Sequence, residues 1–350
     1  MRYRNFLYMG ILIISFLLAG CGRKESKITV EEPREEDKIQ IACCFDNFVV
    51  ERWQRDRDVF VSTAQELGAE VNVQNGNGDA QEQIKQIEYF IDKKVDVLVV
   101  VPIDSYSLTE VIKKAKNAGI KVISYDRLAL EAAPDLYISV DNEMVGKLMG
   151  TEMAKVLKKG DKIIMICGPS EDNNVSYVER GFREAISEKG IVVADMTYID
   201  NWKADLAGQY VAEHLEEIRE VQGIMCGNDD IASQVVQVLA ENQLAGNVVV
   251  VGQDGDLAAC QRIVEGTQYM TAFKPIEDLA RKAAKYAVEM GSGKGVAELE
   301  DVTETVNDGT YEIPSCILEP TAVTKENIDK VIIEGGFHRR DEVYLNADYS

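Results

Sequence analysis

Histidine is almost missing from this sequence: among 350 residues only His214 and His338 occur. Neither follows a strand-like run, so a histidine general base paired with a nucleophile has no candidate, and no enzyme is expected. The chain also holds no CxxC, no GxGxxG and no GxxxxGK[ST]. A Cys/His metal site and a phosphate cradle are therefore not written in it, and no cofactor or metal is expected. NGNG at 75–78 is a lone turn signal. Basic charge is scarce as well. Against 60 Asp and Glu stand 38 Lys and Arg, a formal net charge of −22. Such a chain repels nucleic acid and anionic lipid headgroups at long range. Tryptophan occurs twice, at Trp53 and Trp202.

What is present begins with a targeting signal. Arg2 and Arg4 precede an almost wholly apolar run from Phe6 to Leu18, which closes in Leu18-Ala19-Gly20-Cys21. The run is short for a membrane span, which needs about 20 residues. LAGC resembles the lipobox of bacterial lipoproteins, a resemblance that makes 1–20 a signal peptide and Cys21 the site of lipid attachment. The expected location is extracytoplasmic, on the outer face of the cell membrane. Residues 21–38 are polar and charged and read as a tether. Six cysteines remain: Cys43, Cys44, Cys167, Cys226, Cys260 and Cys316. Four of them sit in or at the ends of apolar strand-like runs, where a free cysteine behaves as a small hydrophobe, and a chain of this size does not need disulfide staples.

From residue 39 a pattern repeats. Apolar runs such as IACCF, VDVLVVVP, KVIS, LYISV, KIIMIC, GIMC and NVVVVG alternate with amphipathic segments such as DAQEQIKQIEYFIDKK, where Ile84, Ile87 and Ile91 share a face. Strands alternating with helices predict an α/β fold of parallel sheets covered on both sides. The pattern restarts near Asp141, which predicts two doubly wound units in tandem.

In such sheets ligands bind beyond the carboxyl ends of the strands. After IACCF come Asp46, Asn47, Arg52 and Trp53; after VLVVV, Asp104; after KVIS, Asp126 and Arg127; after IIMICG, Asp172, Asn173 and Asn174. After MTYI comes Trp202; after GIMCG, Asn228 to Asp230; after VVVVG, Gln253 and Asp254; after YMTAF, Lys274. Sugar hydroxyls both donate and accept, so carboxylates, amides and cations satisfy them, and an aromatic ring covers a sugar's C–H face. Taken singly, these residues have plainer readings. Trp53 lies seven residues before Phe60 and could cap a helix's core face. Trp202 could anchor a loop. Asp126 and Arg127 could be a surface pair, and Asn174 and Asn228 helix caps. Lys274-Pro275 could be a helix start. The recurrence of one chemistry at one strand end after another favours a common site. In ERWQRDRD, residues 51–58, Arg55, Asp56, Arg57 and Asp58 read as the solvated side of a helix.

ERWQRDRDVF, KVISYDR, YISVDNE, EDNN, GNDD, GQDGDLA, GTQYMT, KPI and GFH, in this order, resemble the extracytoplasmic sugar-binding proteins of bacterial ABC transporters. The likeness is to the type I, ribose-binding-like class and most of all to its D-xylose-binding branch, and it spans essentially all of 38–338. The resemblance implies a monomer of two doubly wound parallel-sheet domains joined by a three-strand hinge. The first domain would comprise 39–140 plus 276–302 and the second 141–275 plus 303–338, with 339–350 a flexible tail. The crossings would fall near Asp141, Lys274 and 303–306. It implies a pentose bound by Arg52, Trp53, Asp126 and Arg127 from the first domain, and by Asp172, Asn174, Trp202, Asn228 and Asp254 from the second. Lys274 would sit at a crossing. The implied partners are a xylose-like monosaccharide and the membrane subunits of an ABC permease, or alternatively a membrane sensor kinase for which the protein serves as sugar-sensing co-receptor. A lactose-repressor-like protein shares this fold, but the export signal and negative charge argue against one.

Overall fold

The computed structural model describes residues 38–347. The signal segment 1–20, Cys21 and the tether up to residue 37 lie outside the described residues, as do 348–350.

Each apolar run forms a strand and each amphipathic segment a helix. The first series is β1 (Gln40–Phe45), α1 (Glu51–Glu66), β2 (Glu70–Asn75), α2 (Ala80–Lys93), β3 (Val97–Val100), α3 (Thr109–Asn117), β4 (Lys121–Tyr125) and β5 (Leu136–Val140). The second is α4 (Asn142–Val156), β6 (Lys162–Cys167), α5 (Asn173–Lys189), β7 (Val192–Tyr198), α6 (Ala204–Glu213), α7 (Leu215–Ile218), β8 (Gly223–Cys226), α8 (Asp229–Glu241), β9 (Val249–Asp254), α9 (Leu257–Glu265) and β10 (Met270–Phe273). There follow α10 (Ile276–Gly291), β11 (Glu304–Asn307), β12 (Glu312–Leu318), β13 (Thr321–Thr324) and α11 (Arg340–Val343). β3, β5 and β8 are buried along their whole length, as strands covered by helices on both faces must be. The amphipathic stretch 205–218 is broken at His214, whose ring stacks on Tyr210 and sets Nδ1 2.8 Å from the Tyr210 carbonyl oxygen.

The strands make two sheets, ordered β11-β12-β5-β4-β3-β1-β2 and β13-β10-β9-β8-β6-β7. All pairings are parallel except β11 with β12 and β10 with β13. Strand order reverses between β1 and β3 in the first sheet and between β6 and β8 in the second. Those reversals open the crevices where ligands bind in this architecture.

The chain passes from the first sheet to the second between β5 and α4. It returns between β10 and α10, which packs on α1 and on β1, β3, β4 and β5. The third passage corrects the expectation from sequence. It lies between β12 and β13, not near 303–306, so residues 304–318 belong to the first sheet. The physical reason is an open edge: β12 pairs in parallel with β5, Ser315 opposite Tyr137, and buries Ile313 and Cys316 there. β11 folds back on it through a turn in which Asp308 accepts from the backbone N–H groups of Thr310 and Tyr311. The expected flexible tail is corrected as well, for residues 339–347. Val343 is wholly buried, Gln261 Nε2 donates to the Glu342 carbonyl at 2.9 Å, and Tyr344 donates its hydroxyl to Asp329 at 2.9 Å.

All six described cysteines are buried free thiols. Burial pushes the thiol of Cys43 well above its ordinary value, helped by Cys44, and that of Cys167 up to about 12. Because the thiolate is the nucleophile, these six thiols are expected to release almost no thionitrobenzoate from Ellman's reagent at pH 8 in the native protein. In denaturant all six should react. Rapid reaction of even one of these thiols in the native state would contradict the packing described.

Candidate ligand-binding site

The first lobe's contribution starts where β1 ends. The chain turns at Asp46 and Asn47, whose side-chain oxygen accepts from Val49 N at 2.9 Å, and enters α1. The first turn of α1 carries Arg52 and Trp53 to the carboxyl edge of the sheet, both buried. Trp53 packs edge-on against Phe45 with centroids 6.2 Å apart, and the guanidinium of Arg52 lies 4.3 Å from its ring centre. At the end of β4, Asp126 adopts φ 63°, a conformation uncommon outside glycine, and aims its carboxylate at Arg52 Nη1, 2.9 Å away. Arg127 follows. Its Nη1 donates to Asp46 at 2.7 Å and to the Pro102 carbonyl at 3.0 Å, and its Nε stands 2.6 Å from Asp172 of the second lobe.

In the second lobe the same chemistry is set by helix starts. Asp172 caps α5, accepting from Asn174 N at 2.9 Å, and its other oxygen accepts from Trp202 Nε1 at 3.2 Å. Asn228 caps α8, accepting from Ile231 N at 2.9 Å. Capping and lining the site are thus one role, not alternatives. Trp202 sits at φ 56° after Asn201 at φ 52°, a left-handed pair that turns the indole over Gly168; a Cβ at that glycine would overlap the ring. Asp254 ends β9 at φ 105°. Its Oδ1 lies 3.3 Å from Lys274 Nζ and 3.9 Å from Arg52 Nη1.

Arg52, Trp53, Asp126, Arg127, Asp172, Asn174, Trp202, Asn228, Asp254 and Lys274 all line one cavity between the lobes. Measured to the centre of a water-sized sphere the cavity is ≈ 40 Å³, several times the ~10–15 Å³ that one water requires. Every one of the ten side chains is at most 9% exposed. Above the cavity the lips meet. Ser105 of the first lobe donates its N–H and Oγ to the Glu171 carbonyl at 3.2 and 3.0 Å, and Asn173 Oδ1 accepts from Leu128 N at 3.2 Å.

The family model for the periplasmic binding protein domain matches residues 43–295. This chain belongs to the periplasmic binding proteins. It is 40% identical over 312 residues to the D-xylose-binding periplasmic protein of Haemophilus influenzae, covering 87% of this chain and 92% of that one. It is 38% identical to the D-xylose-binding periplasmic protein of Escherichia coli K12, over 87% and 93% of the two chains. Among solved structures, an ABC transporter solute-binding protein from Clostridium phytofermentans with bound β-D-glucose superposes with a TM-score of 0.76 at 25% identity, covering 87% of this chain and 99% of that one.

In this periplasmic binding protein burial and neighbouring charge oppose one another at the site's ionisable groups. Burial pushes the Asp126 carboxyl upward, but Arg52, Lys274 and Arg127 outweigh it and hold the group below its ordinary value. At Asp172 burial wins over Arg127 and the group lies above its ordinary value. Burial opposes the charge of Arg52 too, yet Asp126, Asp56 and Asp254 hold it well above its usual range. Among the described residues, six buried polar atoms of the cavity wall have no hydrogen-bond partner: Asp126 Oδ1, Arg127 Nε and Asp254 Oδ1 have an ion pair alone, and Trp53 Nε1, Asn174 Oδ1 and Gln253 Oε1 have neither. One donor and two acceptors therefore face the cavity unanswered, an arrangement native interiors rarely keep without a ligand or water to satisfy it.

Three participants escaped the reading of sequence. Gln253 follows its strand as noted but was not assigned to the site; its Nε2 donates to the Gly227 carbonyl. Tyr125 donates its hydroxyl to Asp56. Asp56 itself corrects the solvated-face expectation. It is wholly buried and accepts from Arg52 Nη2 at 3.1 Å, one helical turn away. The i, i+4 spacing of Arg52 and Asp56 was the signal available. Arg55 is also no free surface group: it bonds Glu277 at 2.8 Å and the Phe337 carbonyl at 2.6 Å.

Proposed function

We propose that this protein captures D-xylose, or a related aldopentose, between its lobes and delivers it to an ABC permease. The observation that carries the reading is the cavity. Two indole walls enclose three cations, three carboxylates and three amides drawn from both lobes, with no nucleophile–base pair among them. Sugar hydroxyls suit such a set because each can donate to a carboxylate and accept from a cation or amide. The names of the relatives at 40% and 38% identity support a pentose. A sugar that touches both lobes binds the closed arrangement better than an open one, and that difference drives hinge closure. The lipobox at Cys21 supports anchoring to the outer face of the membrane, where the protein would stay beside its permease.

Both tryptophans of the chain line the cavity, so their emission reports on it. Titration with D-xylose is expected to change tryptophan fluorescence saturably at micromolar concentrations, and Trp202→Phe should remove part of the change. Emission that stays flat to millimolar xylose, arabinose and ribose would contradict a pentose in this cavity.

A further inference from the structure

Beside Asn228 stands a carboxylate that takes no part in lining the cavity. Asp229, the first residue of α8, is wholly buried and turned away from the cavity toward the loop that follows β9. Its Oδ2 accepts from the backbone N–H of Gly255 at 3.0 Å and of Asp256 at 3.2 Å, and from the hydroxyl of Thr271 at 2.7 Å. Its Oδ1 accepts from Gln268 Nε2 at 2.9 Å. Gln268 is held in turn by Arg262, whose Nη2 reaches both Gln268 Oε1, at 2.8 Å, and the Asp229 carbonyl, at 3.2 Å. β9 approaches so closely that a Cβ at Gly252 would overlap Asp229 Oδ1.

We propose that Asp229 is a positioning residue for ligand binding: it clamps the two peptide N–H groups after Asp254 and so aims the Asp254 carboxylate into the cavity. This rests on the reading of the cavity as a sugar site. Asp254 needs such a clamp because its φ of 105° is unfavourable for a residue with a side chain, and a conformation of that kind persists only where its surroundings over-determine it. Four donors converge on Asp229, and only a carboxylate accepts from all four; asparagine offers one acceptor oxygen and turns an N–H2 against the remaining donors. The residue thus ties the start of α8 to the Asp254 loop, since α8 begins with Asn228 at the cavity and Asp229 behind that loop.

The test uses the whole protein with Asp229→Asn, Asp254→Asn and the double variant, and reads D-xylose affinity by calorimetry and amide exchange at 254–256 without ligand. Asp229→Asn is expected to weaken binding by about 10- to 100-fold, the size of leaving a buried hydrogen-bonding group unsatisfied, and to speed exchange at Gly255 and Asp256. In the Asp254→Asn background it should add little, because the two act through one carboxylate. A merely structural role would leave the two effects additive. Additive losses, or affinity within twofold of the parent with exchange unchanged, would overturn the proposal. Should Asp229→Asn not fold, Thr271→Val removes one donor from the clamp and should raise exchange at Gly255 and weaken binding severalfold; no change in either overturns it equally. A parent protein that binds no pentose would sink the reading of the cavity, whereas a parent that binds beside an unaffected Asp229→Asn sinks the clamp alone.

Discussion

Asp254→Ala is expected to all but abolish pentose binding. Asp254 is buried between two cations, Lys274 at 3.3 Å and Arg52 at 3.9 Å. Its removal takes an acceptor from the ligand and leaves two buried positive charges short of a partner. Truncating one member of a buried charge pair costs about 2–5 kcal/mol, which is roughly a thirtyfold to several-thousandfold rise in Kd. Alanine at φ 105° adds strain of its own, so Asp254→Asn serves as the companion variant, removing the charge from a side chain that better tolerates positive φ. Asp104→Ala is the contrast. Asp104 also follows a strand of the sheet, but it caps Tyr106 N at 2.8 Å and Ser107 N at 2.7 Å and does not line the cavity. Its loss should change Kd by less than about threefold, in line with the ~1 kcal/mol typical of a lost cap felt mainly by stability. Calorimetry on the three variants checks the ranking; equal losses for Asp254 and Asp104 would contradict it.

Trp202→Ala is the second large effect. The indole closes the second lobe's side of the cavity, rests on Gly168 and donates to Asp172. Its removal deletes an aromatic wall and takes one of two partners from Asp172 Oδ2, which keeps Arg127 Nε at 2.6 Å. Losing a buried aromatic anchor of this kind costs about 2 kcal/mol or more, or roughly thirtyfold in Kd and upward. Gly168→Ala reaches the same end differently, since the new Cβ must push the ring from its place. If the wall matters through its position, both variants lose affinity while Trp202→Phe keeps most of it. Binding by Gly168→Ala equal to the parent's would show that the ring's placement is not what counts.

The strand ends were the legible part of this molecule. Polar residues at the close of each apolar run are visible in sequence because β-strands are short and the switch from apolar to polar is abrupt. The ten residues expected at a common site do converge on one cavity. What the sequence hid were contacts whose sign depends on the third dimension. Asp56 reads as surface charge because charged runs on helices usually are; it is buried because Arg52, one turn before it, is drawn inward by Asp126 and leaves it no solvent. Asp229 reads as a helix-start acid because that is where acids go; its four donors come from 255, 256, 268 and 271, far along the chain. The β11–β12 hairpin was misplaced for a related reason. TETVN and EIPSC are weak strand signals alone, and it is the free edge of β5 that recruits them to the first sheet. Likewise nothing in FHRRDEVYLNADYS announces a packed segment until Val343 finds the α9 surface.

Calorimetric titration of the intact lipid-free protein with D-xylose, alongside arabinose, ribose and glucose, tests the central claim most directly. A cavity that both lobes must close around predicts one site per chain, sub-millimolar affinity for at least one pentose, and weaker or no binding of glucose, whose extra hydroxymethyl group needs more room than a pentose. Failure of every monosaccharide to bind below a millimolar would contradict the account.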